Sequence, residues 1–577
     1  MGDDKNTLAA LHNDVEVAEP KRGRFLSKAQ TVILGVGLAL LALCAPPKEP
    51  VGTVKWGDCE DEDSLPGSQC GYIIVPKDYF NSSAGTTKIA LGKLPAKGDS
   101  SKGTIFFNPG GPGGAGKPFV IKRGELLQTY VGHDYDLVGF DPRGIGETRP
   151  ATRCFDDLFT FVDFKRNTIL ERSYDFPTNA SIEDIRKEVL IQQREADSLL
   201  KTIFDLCEVN MGDELKYMGT ATVVRDLDFM AKALDGPDAL INLYGGSYGS
   251  ILGQYLVNIL PDRIGRVVID GIADAVAWAG KYFLSLDGGY QFLQPPSFQA
   301  GPEGCELAHS VGEDPSEIKA RVESFVNNLY YQPISVPNAL HPGVLTSGRA
   351  KVFIQLALLR PSTWPTSASQ IAAAMKGDGS HILDALEPKM YLDLERSAVT
   401  CNDNPTFAPP TAEDVVDELL YVYQNVSRFA FAVVTTEPDA GCEYWPVTPP
   451  ERFEGPWNHT LSNTILVLSN TEDPVTPLDS ALQVQDLLGD SARLLVQDGP
   501  GHVTLALPSF CTQSHVQAFF SNGTLPPKDT ICKPDITPFP EIGVQSTWSA
   551  EQRRVAQAMA GLHDAMLDVR GVFKLRV

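Results

Sequence analysis

Three residues far apart in the chain have side chains that together could transfer an acyl group: Ser247, Asp473 and His502. Ser247 is the centre of Gly245-Gly246-Ser247-Tyr248-Gly249, a G-x-S-x-G pattern. With 50 glycines in 577 residues, such a pattern arises too easily to stand alone. Its setting is what matters: the apolar run ALINLYGG leads in and a helical pattern to about residue 260 leads out. A strand-to-helix turn at that place is sharp. Small residues two positions either side avoid clashes, and the hydroxyl is held out at the carboxyl edge of a sheet. The bland alternative is a glycine-rich turn with an idle serine.

A serine hydroxyl needs a base. His502, in Gly499-Pro500-Gly501-His502, follows the apolar run ARLLVQDG and can reach back to Ser247. His515 also lies late but falls in the helical pattern that follows. An unperturbed imidazole titrates near about 6.5, so a histidine base predicts activity that falls on the acid side. The orienting acid should precede the histidine, at the end of a late strand. Asp473, in Asn470-Thr471-Glu472-Asp473-Pro474, fits; Asp270 after RVVI and the adjacent Glu472 are its rivals. Asp473 also reads as a helix cap before Pro474. The loop Asn108-Pro109-Gly110-Gly111-Pro112-Gly113-Gly114 offers one oxyanion donor, the N–H of Gly111. The residue after the nucleophile, Tyr248, offers the other. An ordinary Gly/Pro loop is the alternative, and no G-K-[ST] or G-x-G-x-x-G completes a phosphate cradle. Asp141-Pro142-Arg143-Gly144 reads as a loop brace before it reads as chemistry.

These residues need a sheet to align them. GTIFFNPGG (103–111), DYDLVGFDPRG (134–144), ALINLYGGS (239–247) and RIGRVVIDGI (263–272) read as buried strands. TATVVRDLDFMAKALDG (220–236) reads as an amphipathic helix capped by Thr220 or Thr222. The alternation fails between residues 273 and 451. It returns at NTILVLSN (463–470), a helix over 477–489, ARLLVQDG (492–499) and a further helix. The pattern predicts an α/β fold, a mostly parallel sheet with helices on both faces, interrupted after its sixth strand by a helical cap. The expected organisation is a leader with an apolar segment (1–50), the first part of the core (51–272), the cap (273–451) and the second part (452–577).

The composition, 43% hydrophobic and 21% charged, is that of a globular protein, and a net charge of −24 opposes nucleic-acid binding. VILGVGLALLALCAPP (32–47) carries no charge and follows Lys21, Arg22, Arg24 and Lys28. It fits a signal segment cleaved near Cys44, or a retained single-pass anchor tying the chain to a membrane. Either places the rest of the chain in the secretory lumen or outside the cell. Five Asn-x-Ser/Thr acceptors lie downstream, at Asn81, Asn179, Asn425, Asn458 and Asn522. Nine cysteines follow Cys44 and none forms C-x-x-C, which favours disulfides over a metal site. Local pairs Cys59–Cys70, Cys154–Cys207 and Cys511–Cys532 are expected. Cys305, Cys401 and Cys442 are then left for one bridge and one free thiol.

The chain resembles the tripeptidyl-aminopeptidase-like branch of the α/β-hydrolases, related to proline iminopeptidases. The resemblance covers roughly residues 56–535. It rests on NPGGPGGAG (108–116), GFDPRGIGET (139–148), GGSYGS (245–250), VVIDGI (267–272), Cys401-Asn402-Asp403, Cys442-Glu443-Tyr444-Trp445-Pro446 and NTEDPVTP (470–477). It implies a serine hydrolase without metal or organic cofactor, acting on a peptide or a small ester. A cap closing one end of the cleft favours release of residues or short peptides from free amino termini. The substrate ammonium would then need a carboxylate, with Glu303, Glu306, Asp403 and Glu443 as candidates in the inserted stretch. An esterase or lactonase with the same three residues is the alternative. A non-catalytic binding protein on a hydrolase fold would require one of them to be missing.

Overall fold

The computed structural model describes residues 49–61, 63–98, 100–280, 301–386, 393–425, 431, 440–539 and 547–568. The apolar run 32–47 lies outside them. Among the described residues no helix is long and apolar enough to cross a membrane.

Ten strands make one sheet: β1 (Val54–Asp58), β2 (Gln69–Pro76), β3 (Thr86–Leu94), β4 (Thr104–Asn108), β5 (Asp136–Phe140), β6 (Ile241–Gly246), β7 (Ile264–Asp270), β10 (Ile465–Glu472), β11 (Ala492–Pro500) and β12 (Thr530–Cys532). A separate hairpin of β8 (Ile334–Val336) and β9 (Gly343–Leu345) sits in the inserted stretch. The spatial order is β1-β2-β3-β5-β4-β6-β7-β10-β11-β12. β1, β2 and β3 run antiparallel to their neighbours, and every pairing from β5 across to β12 is parallel. The sheet is therefore interrupted after its seventh strand, one later than the sequence pattern predicts. The difference lies at the antiparallel edge, where short, half-exposed strands such as VKWGD carry little apolar signal.

The central strands are apolar on both faces because helices cover both. Helices Thr220–Asp235, Tyr248–Ile259 and Leu478–Leu488 bury Leu227, Met230, Leu252, Leu256 and Val484 on one side. Helices Gly116–Val131, Phe510–Asn522 and Ala550–Asp568 bury Val120, Leu127, Val516, Phe519, Met559 and Leu562 on the other. The sequence pattern assigns the cap of helix Thr220–Asp235 to a threonine. The cap position is Gly219, and the Asp403 carboxylate does the capping instead, accepting the Thr220 N–H at 2.7 Å. The described residues of the inserted stretch form helices and the β8–β9 hairpin, and they do not pack alone. Val415, Val416, Leu419 and Leu420 close against Ile185, Val189 and Ala196 of helix Ile182–Met211, which lies between β5 and β6.

Among the described residues four disulfides are formed: Cys59–Cys70, Cys154–Cys207, Cys511–Cys532 and Cys401–Cys442; Cys305 is a buried thiol. Such bridges belong to proteins of the extracellular or secretory space. Each contributes typically about 2–4 kcal/mol. A thermal melt in excess reductant should therefore show a large fall in Tm relative to the oxidised protein. An unchanged Tm would mean that the bridges are dispensable.

Candidate active site

β4 lies between β5 and β6, so the chain leaves the sheet in opposite directions from neighbouring strands, opening a crevice at their carboxyl ends. β6 ends at Gly246 and the next helix begins at Tyr248, leaving one residue, Ser247, to make the turn. Ser247 has φ +56° and ψ −122°, a conformation held only when its surroundings enforce it. Its N–H donates to Asp270 O at 2.9 Å and its carbonyl accepts from Ser250 N at 2.7 Å. The flanking glycines are required by space. A β-carbon on Gly245 would sit on the carbonyl oxygen of Gly249, and one on Gly249 would lie 2.8 Å from Asn108 O. Ser247 remains half-buried.

His502 follows β11 and its Nε2 lies 2.9 Å from Ser247 Oγ. Its Nδ1 lies 3.0 Å from both carboxylate oxygens of Asp473. A carboxylate can only accept here, so Nδ1 carries the proton and the Nε2 lone pair faces the serine hydroxyl. Asp473 is itself fixed by the N–H groups of Val475 and Thr476 at 2.9 Å, of Val503 at 2.8 Å, and by Thr476 Oγ1 at 2.7 Å. It thus organises a turn, not the cap of the next helix, which starts at Leu478 with Pro477 at the cap. Burial alone would raise its carboxyl. The charge of His502 and these hydrogen bonds outweigh burial and hold it below the usual range.

The rivals stand elsewhere. Asp270 accepts from Thr504 N (2.9 Å), Thr504 Oγ1 (2.8 Å) and Tyr244 OH (2.9 Å). Burial raises its carboxyl to about 6. It braces the loop after His502 from below. Glu472 ends β10 and offers its backbone carbonyl to Gly501 N. His515 lies within helix Phe510–Asn522. Arg143 and Asp141 are loop braces: Arg143 Nε bonds Asp226 at 2.7 Å, and Asp141 accepts the N–H groups of Lys117 and Glu147 at 2.9 Å.

The glycine loop after β4 presses directly on the elbow. A β-carbon on Gly110 would lie 2.8 Å from Ser247 Cβ and 3.2 Å from Tyr248 N. Gly111 follows with φ +115°, and its carbonyl accepts from Arg396 Nη1 at 2.6 Å. Tyr248 N–H is at the first position of its helix, where no intrahelical partner exists.

Residues of the inserted stretch reach the glycine loop, the residue after Ser247 and the loop of His502, with Trp278 packing its ring against Tyr248 at 6.0 Å between centroids. Arg396 holds Gly111. Asp403 bonds Thr220, whose hydroxyl meets Tyr248 OH at 2.6 Å, while Trp278 Nε1 donates to Asp403 at 2.9 Å. Leu359 O lies 3.3 Å from His502 N. Neither Arg396 nor Leu359 carries a motif, and sequence reasoning gives no signal for them. The candidate amine-binding carboxylates separate clearly. Asp403 is buried and spent on Thr220 and Trp278. Glu306 is exposed and accepts from Ser369 Oγ. The Glu303 side chain lies outside the described residues. Glu443 is half-buried, its Oε2 has no hydrogen-bond partner, and burial raises it to about 7. The five acceptor asparagines are all exposed.

Two family models match the chain: one of the alpha/beta hydrolase fold over residues 103–300, and one described as TAP-like protein over residues 427–532. The chain is a TAP-like α/β-hydrolase. Serine protease Hip1 of Mycobacterium tuberculosis is 29% identical over 508 residues, covering 83% of this chain and 91% of that protein. The tripeptidyl aminopeptidase of Streptomyces lividans is 24% identical over 503 residues, covering 84% and 88%. Carboxylesterase B of Mycobacterium tuberculosis is 28% identical over 553 residues, covering 89% and 99%. This TAP-like hydrolase is accordingly a serine hydrolase with protease, aminopeptidase and esterase relatives.

Proposed function

We propose that Ser247 is the nucleophile, His502 the general base and Asp473 the acid that orients it. The observation that carries this reading is the unbroken line of hydrogen bonds from Ser247 Oγ through His502 to Asp473. Ser247 Oγ attacks a carbonyl carbon as His502 Nε2 takes its proton. Asp473 stabilises the imidazolium, and the N–H groups of Gly111 and Tyr248 stabilise the oxyanion. His502 then gives the proton to the leaving group, and water releases the acyl-enzyme by the same steps.

The substrate is a short peptide with a free amino terminus, and residues 273–451 act as a cap that closes one end of the cleft. The contacts of Arg396 with Gly111, Trp278 with Tyr248 and Leu359 with His502 support that role. Glu443 is the carboxylate best suited to a substrate ammonium, because one oxygen is buried and unpaired. The chain acts outside the cytosol, with its exposed acceptor asparagines carrying glycans.

Matched tripeptide amides with free and acetylated amino termini test the aminopeptidase reading. Acetylation should lower kcat/KM by at least about 100-fold, since a site built for an ammonium rejects a group that lacks it. Glu443→Gln should raise KM for the free peptide by about 10-fold with kcat less affected. Equal rates on the two peptides would remove the aminopeptidase reading. A second reading, an esterase acting on small molecules, is favoured by the carboxylesterase relative. Fast turnover of simple esters without peptide cleavage would select it and leave the three roles untouched.

A further inference from the structure

The loop that carries His502 is conformationally demanding. Gly501 has φ +106° and Val503, which is not glycine, has φ +62°. Backbone of this kind persists only where neighbours determine it on every side. From within the sheet, Asn470 Nδ2 donates to the carbonyls of Gly501 (2.7 Å) and Val503 (2.8 Å), and Asp270 takes Thr504 N. The peptide groups of His502 itself are held from elsewhere. Its N–H faces Leu359 O, and its carbonyl lies 3.0 Å from Nε2 of His563.

His563 stands on helix Ala550–Asp568, beyond the residues that either family model matches. It is 1% exposed. A carbonyl oxygen only accepts, so Nε2 of His563 carries the proton and donates. Burial first, then the nearby charges of His502 and Arg360, push its imidazole down to about 3, leaving it neutral. The same helix reaches the elbow, where a β-carbon on Gly246 would strike the Met566 methyl group. It is tied across to the inserted stretch by Arg360 Nη2–Asp568 Oδ1 at 2.7 Å. The next residue, Pro361, packs on Gly501, with its Cγ 2.5 Å from where a β-carbon would be.

We propose that His563 is a positioning residue for His502, and that helix Ala550–Asp568 and residues 359–361 clamp the base loop between them. The clamp sets the height of the imidazole over Ser247 Oγ without touching substrate. It rests on the reading of His502 as the base.

The test compares His563→Leu, which keeps the bulk and loses the donor, with His563→Gln, whose amide can still donate to the carbonyl. For the leucine variant kcat should fall by about 10- to 100-fold, the range expected of a misplaced catalytic group. KM should stay within about threefold, and the rate of labelling by a fluorophosphonate should fall in parallel. The glutamine variant should recover most of kcat. Parent-like turnover in His563→Leu overturns the proposal, as does equal impairment of both variants, which would indicate packing alone. Should His563→Leu not fold, His563→Gln against His563→Asn decides. The longer amide should stay active and the shorter fall, and equal activity overturns the clamp. Ser247→Ala keeps the two claims apart. If it retains turnover, the base reading itself is lost; if it is inactive while His563→Leu is normal, only the clamp is.

Discussion

Replacing His502 by alanine is expected to lower kcat by roughly 10⁴- to 10⁶-fold with KM little changed. Nε2 is the one base in hydrogen-bonding reach of Ser247 Oγ among the described contacts. Asp473→Asn should cost roughly 10⁴-fold, because an amide can present its NH2 to Nδ1 and turn the imidazole into the wrong tautomer. Asp270→Asn should cost far less, since Asp270 bonds Thr504 and Tyr244 and not the imidazole. The double variant of Ser247 and His502 should be little worse than either single one, as the groups act as a unit. In the parent, kcat/KM should fall towards acid pH as the base takes a proton, and at high pH the base should be fully available. Steady-state kinetics across pH on the purified variants check all of this. An Asp270→Asn variant that is inactive beside a working Asp473→Asn would reverse the acid assignment.

Gly245→Ala is expected to lower activity by about 100-fold or more, although it adds a single methyl group and removes no reacting atom. The methyl would occupy the position of the Gly249 carbonyl oxygen, which sits in the first turn of the helix that Ser247 opens. Relief requires the strand and the helix to move apart. Moving them shifts the serine and the Tyr248 N–H together, so both attack and oxyanion stabilisation suffer. Misplacement by about 1 Å costs about 100-fold. The check is turnover alongside Tm and circular dichroism. A variant that keeps its fold and full activity would show that the elbow is less tightly packed than the geometry indicates.

Much of the site was legible because the fold is repetitive in the right way. Ser247 and Asp473 follow strands buried on both faces, which read as near-continuous apolar runs, and His502 follows a half-buried strand whose apolar residues in ARLLV still carry the signal. Local disulfides were legible for the same reason, since Cys59–Cys70 and Cys511–Cys532 close short loops. What the sequence hid is what depends on partners remote in the chain. Asp403 caps a helix that begins 183 residues earlier, so local propensity pointed to Thr220 and Thr222 instead. Arg396 reaches Gly111 across 285 residues and His563 reaches His502 across 61, and neither sits in a recognisable pattern. The strand count falls one short at the antiparallel edge, where β1 is half-exposed and mixed in composition.

The central claim is that Ser247 is an activated nucleophile, and covalent labelling tests it most directly. The purified oxidised protein is treated with a fluorophosphonate and digested, and the modified peptide is sequenced by mass spectrometry. One adduct per chain on Ser247, absent in Ser247→Ala and strongly slowed in His502→Ala, is the result expected. No labelling of the folded parent, or an adduct on another residue that survives Ser247→Ala, would contradict it.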